Sequence, residues 1–189
     1  MSHSYEIGAN FLSSLAEFDV VYARQVRESG CAWCGGVLDR ADYPRKARGD
    51  LGNAGVDYER RLSLCCRSEG CRRRATPPSL RFLGRKVYVA ALVIVASAVG
   101  RAAGAGHRGR VEGVPARTVR RWLDWWRLVL AQSTWWVEAR GLFAAPVDLA
   151  ELPCSLLERF DPTVAMANVL RLLAPITTTS VRTSIAMAV

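Results

Sequence analysis

Four of the six cysteines in this chain stand in pairs whose spacing can hold a metal ion. Cys31-Ala32-Trp33-Cys34 is a CxxC followed at once by Gly35 and Gly36, the form of a knuckle whose turn aims both sulfurs inward. Glycine behind the second sulfur lets backbone amides approach the thiolates and share their charge. The matching pair is expected in LCCRSEGCRRRATPPS, residues 64–79, where Cys66 and Cys71 form a C-x4-C at the upper end of usual ligand spacing. Strand alternation sets Leu62, Leu64 and Cys66 on one face and Ser63 and Cys65 on the other. If the leucines face inward, Cys66 is the ligand and Cys65 a bystander; a ligand at Cys65 would turn the strand over. Cys31, Cys34, Cys66 and Cys71 would then hold Zn2+ in a closed, structural, four-thiolate site. A redox dithiol and buried inert thiols are the two other roles open to these residues. A redox CxxC should begin a helix, which Gly35 and Gly36 disfavour. Cys154, alone in a helical stretch, reads as core, and His3 and His107 are not needed as ligands.

A second constellation is GVPARTVRRWLDWW, residues 113–126. On a helix beginning at Pro115, Val119, Trp122, Leu123 and Trp126 make an apolar stripe. Arg117, Arg120, Arg121 and Asp124 fall on the opposite face at i, i+3, i+4 and i+7. Such a helix can keep its back in a core and offer its front to a major groove, where arginine contacts guanine and phosphate. Arg108 and Arg110, just before it, are placed to grip the DNA backbone. The plainer role is a solvated amphipathic helix. The tryptophan doublets Trp125–Trp126 and Trp135–Trp136 read as core packing, since the chain turns neutral there.

The elements that must position these residues follow from pattern. Residues 9–28 place Phe11, Leu12, Leu15, Phe18, Tyr22 and Val26 near helical spacing, with Gly30 as a stop. From Cys31 to Pro78 the texture is that of a small β module, with RRLSLCC as a strand and DRADYPRKARGDLGNAGVDYE as a hairpin or loop excursion. It has too little apolar mass for a core of its own, which a structural metal would supply. The 31 residues between the cysteine pairs exceed the roughly 15–20 of a compact ribbon. An inserted arm carrying Tyr43, Arg45, Lys46 and Arg48 accounts for the excess.

After Pro77 and Pro78 the chain is expected to become helical. The run Val87–Val99 is apolar apart from Ser97, and its reach of about 20 Å falls short of a hydrocarbon core of about 30 Å. A buried helix, not a membrane span, is the expectation. Four glycines break the pattern over residues 104–113, and helical periodicity resumes from Val114 to Phe143. Two or three further helices should fill 148–174, separated at Pro146, Pro153 and Pro162, with TTTSVRTSIAMAV left as a loosely ordered tail. No internal repeat is visible. The expected fold is α+β and mostly α: an N-terminal helix (1–30), a zinc-ribbon-like module (31–78), a helix-turn-helix-like DNA-binding region (79–140) and a C-terminal helical extension with its tail (141–189).

Charge points the same way. The net charge is +9, distributed as −3 over residues 1–39, +8 over 40–86, +5 over 101–127 and −1 over 128–189. Arginine supplies 24 of the 26 basic residues, which codon usage could explain, but codon usage does not segregate charge. A basic middle facing a polyanion does. The opening MSHSYEIGANFLSSLAEF lacks the basic start and apolar run of a secretory leader, so a reducing cytoplasmic setting is expected. There, clustered cysteines bind metal or do redox chemistry more often than they form disulfides.

Taken together, CAWCGG, LSLCCRSEGCRRRATPPSLRFLGRKVYVAALVIVASA and GVPARTVRRWLDWW resemble the zinc-ribbon plus helix-turn-helix proteins associated with bacterial insertion sequences and transposases. The likeness spans roughly residues 31–130. It implies that Cys31, Cys34, Cys66 and Cys71 bind zinc and that Arg117, Thr118, Arg120 and Arg121 lie on a recognition helix. The expected function is reading of double-stranded DNA. A zinc module would fix the arm with Arg45, Lys46 and Arg48, together with Arg72, Arg73 and Arg74, near phosphates while the helix reads bases. Strand transfer needs three acidic residues converging on two metal ions in a ribonuclease H-like sheet, and no strand pattern after residue 75 could build one. An accessory or targeting protein, or a truncated remnant, is expected rather than an enzyme. One alternative is an adaptor that docks a transposase or recombinase subunit on its tryptophan-rich helices. Another is an inner-membrane protein anchored through Val87–Val99.

Overall fold

Helix α1, Ala9–Ser29, opens the part of the computed structural model that can be described, residues 7–49, 55–84, 86–102, 111 and 113–178. It buries Leu12, Leu15, Ala16 and Val26 at helical spacing and ends at Gly30, whose φ of +76° favours glycine. The chain divides into two compact units. One comprises Ile7–Ala90 and the chain from Leu173 onward; the other is Ala91–Leu172.

In the first unit, β1 (Leu38–Arg40), β4 (Leu64–Cys66) and β5 (Arg74–Ala75) form an antiparallel sheet in the order β1-β4-β5. A second ladder pairs β2 (Tyr43–Pro44) with β3 (Arg60–Arg61). Both ladders share one register, Leu38 opposite Cys66 and Tyr43 opposite Arg61, so they are two stretches of a single hairpin. The expected strand RRLSLCC is thus interrupted at Leu62–Ser63, where the Ser63 amide donates to Asp42 Oδ1 at 3.0 Å instead of to the ladder. Helix α2, Gly55–Tyr58, lies between β2 and β3. The sheet presents Leu38, Leu64, Cys66 and Ala75 to Val26 of α1 and to Cys31, a small apolar cluster against which Cys71 also packs.

The segment after Pro77 departs from expectation. It does not become helical until α3, Ala90–Ala102. Residues 77–83 are buried in extended and irregular conformation, where a carboxylate on α1 claims their polar groups. Asp19, fully buried on α1, accepts from Ser79 Oγ at 2.5 Å and Arg81 Nε at 2.8 Å through Oδ2, and from the Leu80 amide at 2.6 Å through Oδ1. Arg81 lies over the rings of Tyr58 and Phe82 and also donates to the Asp57 carbonyl. The chain from Leu173 returns here: Thr177 Oγ1 accepts from the Ser79 amide at 2.8 Å, and Thr178 Oγ1 donates to the Thr76 carbonyl at 2.6 Å. The first residues of the expected loose tail are therefore bonded, and those from 179 lie outside the described residues.

The second unit is helical. Helix α3 continues in it, with Val93, Ile94, Ala96 and Ser97 buried. Helix α4 (Ala116–Asp124) runs on as a π-helical segment, Trp125–Leu130. Helix α5 (Thr134–Ala139) follows, its first turn capped by Ser133 Oγ accepting from the Trp136 amide at 3.1 Å. Helices α6 (Cys154–Leu157) and α7 (Ala165–Leu173) complete the expected set, with a short 3-10 turn, Leu149–Glu151, before α6. Helices α3 and α4 approach closely where Gly100 faces Val119: a Cβ on Gly100 would stand 2.6 Å from Val119 Cγ1. Trp126 and Trp136 are buried as expected, while Trp125 and Trp135 are half-buried. The fold is α+β, mostly helical, with a small antiparallel sheet. Among the described residues no helix is long and apolar enough to cross a membrane.

Candidate metal centre

Helix α1 delivers the first cysteine pair. After Gly30 the chain turns so that the Cys31 amide donates to the Gly36 carbonyl and the Gly35 amide to the Cys31 carbonyl, both at 2.8 Å. Gly35 has φ +70°, the left-handed conformation that closes such a knuckle. The second pair spans the turn from β4 to β5. Its Cys71 and Arg72 amides both donate to the Ser68 carbonyl, at 2.9 and 3.0 Å. Arg72 follows Cys71 as Gly35 follows Cys34, and it too is left-handed, at φ +46°. Two knuckles of like form thus face each other.

Between them the four sulfurs of Cys31, Cys34, Cys66 and Cys71 all lie within 4.8 Å of one another. Cys31 Sγ is 3.7 Å from Cys71 Sγ, and Cys34 Sγ is 3.5 Å from Cys66 Sγ. A tetrahedral ion with metal–sulfur bonds of about 2.3 Å requires sulfur–sulfur edges of about 3.8 Å, so the donor set fits. On the side of Gly36 there is no room beside the sulfurs. A Cβ on Gly36 would meet Ser68 Oγ at 2.4 Å and the Cys34 and Cys66 sulfurs at 3.3 Å. The described cysteines carry no disulfide.

Backbone hydrogen bonds prepare these groups to ionise. Those from Trp33, and less so Cys34, outweigh burial and bring the Cys31 thiol down to about 7. Cys66 is buried, which opposes ionisation, yet its pKa is lowered by the Ser68 hydroxyl and backbone and by Cys34. Cys71 receives a favourable bond from the Arg73 backbone, but burial and the three neighbouring sulfurs push it up to about 11. Four thiols at this separation cannot all ionise without a cation among them. Cys65 stands apart, opposite Asp39 and Arg74 in the sheet, with its thiol donating to the Arg72 carbonyl at 3.4 Å. Leu64 and Cys66 are buried on the same face, the inward register.

The arginines and the lysine singled out in the sequence fall in different settings. Arg72 and Arg73 are exposed beside the knuckle, Arg73 over the Trp33 ring at 5.1 Å. Arg74 donates to the Ala41 carbonyl at 3.0 Å and lies over Tyr43, bracing the sheet. Arg45 is turned into the fold, donating to the Gly84 and Lys86 carbonyls at 2.9 and 2.5 Å and lying over Phe82. It closes the base of the arm and does not face outward with Lys46 and Arg48, which are exposed. On α4, Arg117, Arg120 and Arg121 are exposed, Thr118 is half-buried, and Val119 and Trp122 are buried. Arg108 and Arg110 lie outside the described residues. Sequence reasoning passed over Ser68, which lies 4.0 Å from Cys34 Sγ, and the exposed Trp33. The position of Trp33 inside the CxxC was the only signal for either. Comparison with protein-family models, curated proteins and solved structures finds no match to this chain.

Proposed function

We propose that the protein is a zinc-stabilised DNA-binding protein of the mobile-element, transposase-associated type, acting in the cytoplasm without a nuclease centre of its own. The observation that carries this reading is the convergence of Cys31, Cys34, Cys66 and Cys71 at the base of a basic hairpin. Four thiolates select a soft tetrahedral ion, and a closed set with no open position does structural work. The two knuckles and the three-stranded sheet then act as a ribbon. Its metal replaces the apolar mass that a six-residue cluster lacks. From that ribbon Arg72 and Arg73, with Lys46 and Arg48 on the arm, reach phosphates. Arg117, Arg120 and Arg121 supply the outward face of α4, whose inward face is anchored by Val119 and Trp122.

The test is a binding assay with duplex DNA over a range of salt. Affinity should fall steeply as salt rises, and Arg120→Ala with Arg121→Ala should weaken binding and relax its sequence preference. Absence of any DNA affinity at low salt would sink the reading.

A second reading, a zinc-stabilised adaptor for a transposase or recombinase subunit, draws on one feature. Leu128 and Val129 on the π-helical segment are 60% and 56% exposed, and Val137 and Leu142 are open nearby in sequence. On that reading the double arginine variant keeps its protein partner, while Leu128→Glu loses it.

A further inference from the structure

Trp33 sits between the two cysteines of the first knuckle, yet the residue is 46% exposed. A tryptophan left this open on a tight turn has a ring face available to a ligand. Arg73, on the second knuckle, lays its guanidinium over that ring at 5.1 Å from the centroid. Both residues are fixed by the cysteine cluster through their own backbones. Trp33 hydrogen-bonds to Cys31 and Arg73 to Cys71, and the Arg73 carbonyl accepts from the Cys66 amide at 2.9 Å. The backbones that carry ring and guanidinium are therefore anchored on opposite sides of one centre.

The surroundings decide what such a pair would take. Residues 66–74 carry Arg67, Arg72, Arg73 and Arg74 against the single acid Glu69. Arg67 is engaged with Asp39 at 2.6 Å, while Arg72 is exposed beside the pair. A flat aromatic face bordered by cations suits a ligand that is both planar and anionic, a nucleotide within a nucleic acid strand. In an intact duplex both faces of each base are already stacked, so only a base released from its stack can lie on the ring.

We propose that Trp33 and Arg73 form a stacking platform for an unpaired nucleobase, with Arg72 on the adjoining phosphate. The inference rests on the DNA-binding reading above and names the form of DNA that the metal module engages. It divides the labour: α4 faces paired DNA, and the knuckle holds a base that has left the helix.

The experiment uses the zinc-loaded full chain and two labelled probes at one salt concentration, a duplex and the same duplex with a short unpaired bubble containing a fluorescent adenine analogue. The expected result is roughly tenfold tighter binding of the bubble, with quenching of the analogue as it stacks. Trp33→Ala should abolish that preference and the quenching, with duplex affinity unchanged and metal content intact, and Trp33→Phe should restore part of both. Arg73→Ala should weaken the preference as well. Should Trp33→Ala lose metal, Trp33→Phe and Arg73→Ala at full metal content decide the matter, and an undiminished preference in both overturns the platform. Equal binding of the two probes by the wild type, or a preference that survives Trp33→Ala, also overturns it while leaving the DNA-binding reading intact. If the wild type binds neither probe, that reading falls and the platform with it.

Discussion

At the scale of single residues, Cys65 and Cys66 are neighbours with opposite fates, because one peptide step along a strand reverses the direction of the side chain. Cys66→Ser should lower bound metal from about one ion per chain to near zero and unfold the module, whereas Cys65→Ser should leave both unchanged. Metal analysis with circular dichroism of the two variants checks this. Proton linkage follows from the same four groups. In the metal-free protein Cys71, pushed up to about 11, holds its proton at neutral pH, and Cys31, near 7, is ionised only above that value. A metal must displace these protons, so its affinity should rise with pH and fall more steeply once pH drops below about 7, where Cys31 also holds a proton. Competition with a coloured chelator at several pH values measures the trend. Arg72 gives a third prediction, since at φ +46° it bears strain that glycine would not. Arg72→Gly should stabilise the fold by about 0.5–1 kcal/mol in thermal melts while weakening nucleic-acid binding. The convergence of Cys31, Cys34, Cys66 and Cys71 was legible because spacing and alternation encode it. The inward turn of Arg45 was not, because nothing in its neighbours in sequence reveals the Gly84 and Lys86 carbonyls that it meets across the fold.

Among the elements, helix periodicity carried α1 and α4 almost to the residue, since each shows one apolar face. It misread residues 79–89, whose apolar texture is equally that of a buried extended segment. The deciding group, Asp19, lies 60 positions away from Ser79 and is one acid among many in the sequence. Its pairing with Arg81 is buried on both sides, with side-chain exposures of 0% and 4%. Removing one partner strands the other, so Asp19→Ala should cost about 3–5 kcal/mol in chemical denaturation. In the helical unit, Gly100→Ala sets a methyl against Val119, a β-branched side chain with little rotamer freedom. The cost should be about 1–3 kcal/mol, largely relieved in the double variant Gly100→Ala with Val119→Ala.

For the whole molecule, the division into units does not follow the order of the chain. The sequence reading placed boundaries after residues 30, 78 and 140, whereas the compact units part at Ala90 and rejoin at Leu173. Composition cannot report that crossing, because it is made by hydrogen bonds between segments about a hundred residues apart, Ser79 with Thr177 and Thr76 with Thr178. Deleting the chain from Leu173 onward should therefore lower the melting temperature of the cysteine-bearing unit, although the deletion removes no cysteine. Synthesis runs in one direction, and the Ser79 amide leaves the ribosome long before Thr177 does. At roughly 5–20 residues per second, the cysteine-bearing unit waits several seconds for its last strut, and during that interval the cysteine cluster is the tie that can already be made.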